Sequence, residues 1–259
     1  MILLKALTFD EDGFIATLTI KHPPANALTF NMFDEISDIL DMIEEQNKVK
    51  VIIIKGDGKF FSAGADVKQF TSYQNETDYE SLANKGQQLF DRMEHFQIPI
   101  IASIHGAALG GGLELALGCH IRIVTEDAKL GLPELTLGII PGYGGTQRLP
   151  QLVGPAKAYE MILTGATIDG IEAERLGLAN HVVAEEDLHN ETMKLAKNIA
   201  EKSRVSINRV MELIPYAKSE QFSTGIDAEA KAFAKIFGTA GAKEGIQAFM
   251  EKRKPNFQN

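Results

Sequence analysis

Val49-Lys-Val-Ile-Ile-Ile54 is the segment that most narrows the folds open to this chain. A β-branched run with no polar face must be covered on both sides, as strands of a parallel sheet are. Two further runs follow, Ile98-Pro-Ile-Ile-Ala-Ser-Ile104 and His120-Ile-Arg-Ile-Val124, with a helical segment within about 78–96 and another from Leu113 between them. Strand and helix in alternation predict an α/β fold with right-handed crossovers. The pattern persists to about residue 185.

Before the first buried run, the apolar segments Leu3 to Phe9 and Phe14 to Ile20 flank Asp10-Glu-Asp-Gly13, which predicts an opening hairpin with an acidic turn. Paired prolines make Lys21 to Ala27 a loop. Phe33, Ile36, Leu40 and Ile43 step by three and four, one face of an amphipathic helix. Later, Gly154-Pro155 opens a helix that Gly165 closes, Asp169 to Leu176 forms a shorter one, and His181-Val-Val183 suits a last strand. Beyond Glu185 the segments Leu188 to Lys202, Val205 to Ile214, Phe222 to Phe237 and Ala242 to Arg253 all read as helices. Such a tail is expected to pack on the α/β part or on another subunit.

At 259 residues the chain can bury a substantial core, and 44% hydrophobic with 24% charged residues is ordinary globular composition. A net charge of −9 argues against general nucleic-acid binding, so an anionic ligand must be met by a local basic patch. The single Cys119 excludes an internal disulfide, and Cys119-His120 has no second pair at metal-ligand spacing, so no metal is expected. The first residues lack the features of a signal peptide, and no stretch approaches the ~20 apolar residues of a membrane span, so a cytoplasmic location is expected.

The chemistry-bearing stretch is Ile104-His-Gly-Ala-Ala-Leu-Gly-Gly-Gly-Leu-Glu-Leu-Ala-Leu-Gly-Cys119. It reads as strand, open glycine turn and helix start, where a ligand can lie against the backbone and unpaired N–H groups attract negative charge. Glu114 in that first turn is either acid/base machinery or a carboxylate that merely complements the helix dipole. The Walker pattern fails because Leu113-Glu114 follows the glycines, and the dinucleotide fingerprint fails at Gln147. Ser62 and Ser103 have no histidine in a nucleophile-elbow pattern, and His105 reads as a strand-end packing residue.

Five blocks then resemble the enoyl-CoA hydratase (crotonase) family: Phe60-Phe-Ser-Ala-Gly-Ala-Asp-Val-Lys68, Ile104 to Glu114, Leu130-Gly-Leu-Pro-Glu-Leu-Thr-Leu-Gly138, Ile140-Pro-Gly-Tyr-Gly-Gly-Thr-Gln-Arg-Leu149 and Phe249-Met-Glu-Lys-Arg-Lys254. They occur in order over nearly the whole chain. The resemblance implies a crotonase-like α/β spiral of ββα units, with a catalytic core over 1–195. It also implies a C-terminal helical region over 196–259 that builds trimers or dimers of trimers. Its implied substrate is an acyl-CoA thioester, with no further cofactor. The backbone N–H groups of Ala65 and Gly111 would form an oxyanion hole, Glu114 and Glu134 would be the catalytic pair, and Gly142 would help to position water. Ala63, Ala65, Asp66, Val67 and Lys68 match the CoA-binding segment, and Phe249 and Lys252 match tail positions that reach the CoA of a neighbouring subunit.

Tyr143 departs from the small residue often found at its position, which bears on the acyl pocket, and Lys252-Arg253-Lys254 can equally be a solubilising helix end. Glutamates at both catalytic positions favour a hydratase of the β-oxidation type. The alternatives are a family hydratase or isomerase for a specialised branched or unsaturated acyl-CoA, and an RNA-binding relative, for which the required lysine-rich helix is missing.

Overall fold

The computed structural model describes residues 4–70, 75–202, 204–217, 230, 231, 233, 234, 237 and 240–253. The expected helix from Phe222 to Phe237 lies largely outside the described residues. A six-stranded sheet has β1 (Leu7–Asp12) and β2 (Ile15–Ile20) paired antiparallel, followed by β3 (Val51–Gly56), β4 (Ile100–Ile104), β6 (Ile121–Thr125) and β8 (His181–Val183), all parallel. A second, two-stranded parallel sheet joins β5 (Ala107–Leu109) to β7 (Lys129–Gly131).

The Val51 run behaves as its composition demands. Ile52 and Ile54 enter the main apolar core, while Val51 and Ile53 face the opposite layer with Leu188 and Ala196 of α5 (Leu188–Ala200). β4 divides in the same way: Ile100, Ala102 and Ile104 point to the main core and Ile101 to the α5 side. Residue 195, expected to end the core, thus falls inside a helix that covers the sheet.

The opening hairpin forms, but with a different division of residues. Asp10, Glu11 and Asp12 lie within β1, opposite Thr17, Ala16 and Ile15, and the turn is Gly13-Phe14. β1 is an edge strand, where exposed charge is tolerated and blocks unwanted pairing. The helix α1 (Phe30–Gln46) starts at Thr29, whose hydroxyl accepts the Met32 N–H at 3.3 Å, and buries Phe33, Ile36, Leu40 and Ile43 as expected. The helix α3 (Glu76–Glu94) starts at Asn75 and turns Leu82, Ala83, Gly86, Gln87 and Phe90 inward.

Between them, Ser62 to Val67 crosses the molecule through isolated bridges, Leu28 with Ala65 and Ser62 with Ala108. The Ser62 hydroxyl donates to the Asn26 carbonyl at 2.8 Å, which ties this crossing to the prolyl loop. Helix α4 (Gly111–Leu117) is too short to persist unaided. Buried Arg122 holds its far end, donating to the carbonyls of Ala116 at 3.2 Å, Cys119 at 2.6 Å and Leu178 at 2.6 Å. A cation at a helix C-terminus also complements the dipole.

Candidate active site

The crossing at Gly64-Ala65 and the start of α4 come together at a single place. Gly64 has φ +110°, and a Cβ there would lie 3.0 Å from the Leu109 carbonyl oxygen, so only glycine fits this approach. A Cβ on Gly111 would likewise come within 3.3 Å of the Ala65 nitrogen, which sets the Ala65 and Gly111 backbones side by side. As the first residue of α4, Gly111 has an N–H that no carbonyl of its own helix can reach.

One turn on, Glu114 is 1% exposed, and its Oε1 accepts two backbone N–H groups, Tyr143 at 2.8 Å and Gly145 at 2.8 Å. Two amides converging on one oxygen fix the direction of the carboxylate. Glu134 opens a single 3-10 turn, Glu134–Leu137, after Pro133, and its Oε1 lies 3.0 Å from where a Cβ on Gly110 would stand. The helix dipole at α4 and the carboxylate of Glu134 therefore sit beside each other.

These groups, Gly145 apart, line one cavity of about 350 Å³. Ala63, Ala65, Val67, Gly111, Glu114, Glu134, Gly142 and Phe249, each singled out from the sequence, are on its wall. Leu137, Ile139, Ile140 and Phe233 make the remaining surface largely apolar. Asp66, Lys68 and Lys252 are not on that wall. The Asp66 carboxylate accepts the Lys68 N–H at 3.2 Å and opens a short helical turn, α2 (Val67–Phe70), with Lys68 exposed. Lys252 has φ +55°, its N–H donates to the Phe249 carbonyl at 3.2 Å, and the Arg253 N–H donates to the Ala248 carbonyl at 2.9 Å. Those two bonds are a Schellman ending to the helix Ala240–Met250, in which Lys252 is the left-handed residue. Arg253 is ion-paired with Glu244 at 2.6 Å. Phe249, which the resemblance sent towards a neighbouring subunit, lines the cavity of its own chain and is 54% exposed.

The structure adds residues that sequence reasoning did not single out. Gly145 supplies one amide to Glu114, and buried Gln87 donates through Nε2 to the Gly142 carbonyl at 2.9 Å. The Pro-Gly-Tyr-Gly-Gly run signalled a tight loop but not which amide would turn to the carboxylate. Nothing local marks Gln87, because its partner is distant in sequence. Ser62, Ser103 and His105 have structural bonds: Ser62 as above, Ser103 with the Thr192 hydroxyl at 3.0 Å, and His105 Nε2 with the Gly58 carbonyl at 2.8 Å. Burial pushes the Cys119 thiol up to about 12, against the pull of Arg122. Among the described residues no group of three or more His, Cys, Asp or Glu could hold a metal ion, and no helix is long and apolar enough to cross a membrane.

The chain matches the enoyl-CoA hydratase/isomerase family over residues 10–259. It is 52% identical to a probable enoyl-CoA hydratase of Bacillus subtilis, over 98% of this chain and 99% of that protein. To the crotonyl-CoA hydratase of Syntrophomonas wolfei it is 40% identical, over 97% of each. The crystal structure of an enoyl-CoA hydratase/isomerase from Xanthobacter autotrophicus superposes with a TM-score of 0.90 at 26% identity, covering 99% of this chain and all of that one (100%).

Proposed function

The chain belongs to the enoyl-CoA hydratase/isomerase family, with its crotonase-like α/β fold, and from that premise we propose that it adds water across the double bond of a trans-2-enoyl-CoA to give a 3-hydroxyacyl-CoA. The observation that carries this reading is the meeting, on one largely apolar cavity, of two carboxylates with the Ala65 and Gly111 backbones. Addition of water to a conjugated thioester places negative charge on the carbonyl oxygen, as an enolate. Two preorganised amides stabilise that oxygen, and one such donor is typically worth about 3 kcal/mol.

In this mechanism both glutamates hold the incoming water, with Gly142 in the loop that helps to place it. The water oxygen forms its bond to C3 as Glu114 takes a water proton, and the double-bond electrons pass to C2 and the thioester oxygen. Glu134 then gives its proton to C2, on the same face. The carboxyl of Glu114 and the carboxylate of Glu134 return to their starting states by proton exchange with solvent. Each transfer contributes on the order of 10² to 10⁴-fold. The CoA moiety runs along Ala63, Asp66, Val67 and Lys68, with Lys68 and, from the tail, Lys252 supplying local positive charge in a chain whose net charge is −9. Assembly through residues 196–259 into trimers or dimers of trimers belongs to the same reading.

The test is the loss of conjugated-thioester absorbance when the purified protein meets crotonyl-CoA and longer enoyl-CoAs. Glu134→Gln should lower kcat by about 10² to 10⁴-fold with little change in KM. Absence of turnover on every thioester would remove the hydratase reading, and near-native turnover in the variant would remove Glu134 from the chemistry.

A further inference from the structure

Tyr143 and Phe233 are buried aromatic residues on the cavity wall, each 3% exposed, whereas Ala63 and Phe249 on the same wall are exposed. Tyr143 is held through its main chain and through its ring. Its N–H donates to Glu114 at 2.8 Å and its carbonyl accepts from Arg148 at 2.9 Å, so the main chain is tied on both sides. Its ring stands edge-on to Phe33, with centroids 5.4 Å apart, and to Phe90, 5.9 Å apart.

The ring also occupies space that another residue has given up. Gly86 lies in the interior of α3, where glycine disfavours the helix, and a Cβ there would stand 2.3 Å from Tyr143 Cδ1. On the opposite side, a Cβ on Gly111 would be 3.2 Å from Tyr143 Cε2. The ring is thus wedged between α3 and the first turn of α4, beside the candidate oxyanion amide. A close-packed interior cannot move such a ring aside for a ligand without disturbing Phe33 and Phe90.

We propose that Tyr143, seated in the notch left by Gly86, determines specificity: it closes the acyl end of the cavity and selects short, crotonyl-sized thioesters over medium- and long-chain ones. This rests on the hydratase reading for the direction in which the acyl chain lies. With the thioester carbonyl at Ala65 and Gly111 and the CoA at exposed Ala63 and Phe249, the chain terminus points at the Tyr143 ring. A cavity of about 350 Å³ is small for a ligand site and must also hold the thioester.

The experiment is kcat/KM for crotonyl-, hexenoyl-, octenoyl- and decenoyl-CoA with wild type, Tyr143→Ala, Tyr143→Leu and Gly86→Ala. The wild type should favour crotonyl over decenoyl by at least ten-fold, since a single methylene that does not fit can cost about 10 to 200-fold. Tyr143→Ala should raise the decenoyl-to-crotonyl ratio at least ten-fold. Tyr143→Leu, which keeps apolar bulk in the core, should raise it in the same direction if the alanine variant does not fold. Gly86→Ala, which drives the ring towards the cavity, should lower the hexenoyl-to-crotonyl ratio, and an unchanged ratio would remove Gly86 from the device. A wild type indifferent to chain length, or a folded Tyr143 variant with an unchanged profile, overturns the proposal. If no thioester is turned over, the reaction reading fails instead. The pocket is then judged by binding alone: tighter binding of butanoyl-CoA than of decanoyl-CoA keeps the proposal, and equal binding ends it.

Discussion

His120 shows how one side chain next to the working parts can set a pH limit without touching them. Its Nδ1 accepts the Ile100 N–H at 2.9 Å, tying β4 to the segment after α4. Burial first, and the positive charges of Arg122 and His95 after it, hold the imidazole down to about 4. In the unfolded chain the ring titrates near the ordinary 6.5. Between these values the unfolded chain binds the extra proton and the folded one does not. The stabilisation is therefore complete above about pH 6.5 and is lost as pH falls towards 4, to a total of roughly 3 kcal/mol. Urea midpoints at pH 7 and pH 4.5 should draw together in His120→Asn relative to wild type, and an undiminished difference would clear His120 of that role. Neither the bond nor the burial was legible from Cys119-His120 as a dipeptide. Glu114 was legible as a candidate because its position after the glycines places it in the first helical turn, but its two amide donors come from a loop that only tertiary structure delivers. Lys252 is the opposite lesson. The run Lys252-Arg-Lys254 displays its charge but not the left-handed backbone that ends the helix there.

Among the elements, the turn Glu134–Leu137 and the helix Ala240–Met250 depend on each other. Gly245 makes the contact, and a Cβ on it would stand far inside van der Waals distance of the Leu137 carbonyl oxygen. The helix carries Phe249 to the cavity mouth while the turn carries Glu134 to its wall, so one interface places both. Gly245→Ala should cost about 1 to 3 kcal/mol by overpacking and, by moving the turn, should lower kcat beyond what the residual folded fraction explains. Thermal unfolding and turnover measured together check this, and an unaltered kcat would show that the turn does not rest on the helix. Long periodic elements were readable in advance: α1 from its three-and-four spacing, β3 from its unbroken β-branched run. The strands β5 and β7 were not, because three residues each carry no period. The acidic residues of β1 read as a turn because charge is a turn signal, which an edge strand defeats.

At the scale of the whole molecule, the α/β class followed from the alternation of elements, whereas the order of the strands did not. Strand order is a matter of long-range pairing, and no local pattern encodes it; the spiral came from resemblance. The proposed assembly is likewise a property of surfaces that a linear pattern does not display. Light scattering of the purified protein should give three or six times the chain mass of 28.3 kDa, and a monomer would withdraw the oligomeric part of the reading. The two bridges that tie Leu28 to Ala65 and Ser62 to Ala108 have a kinetic corollary. Helices can appear early in refolding, but distant strands must search for one another, and such searches are slow. Recovered turnover should therefore lag behind recovered ellipticity after dilution from denaturant, timing the last seam to close.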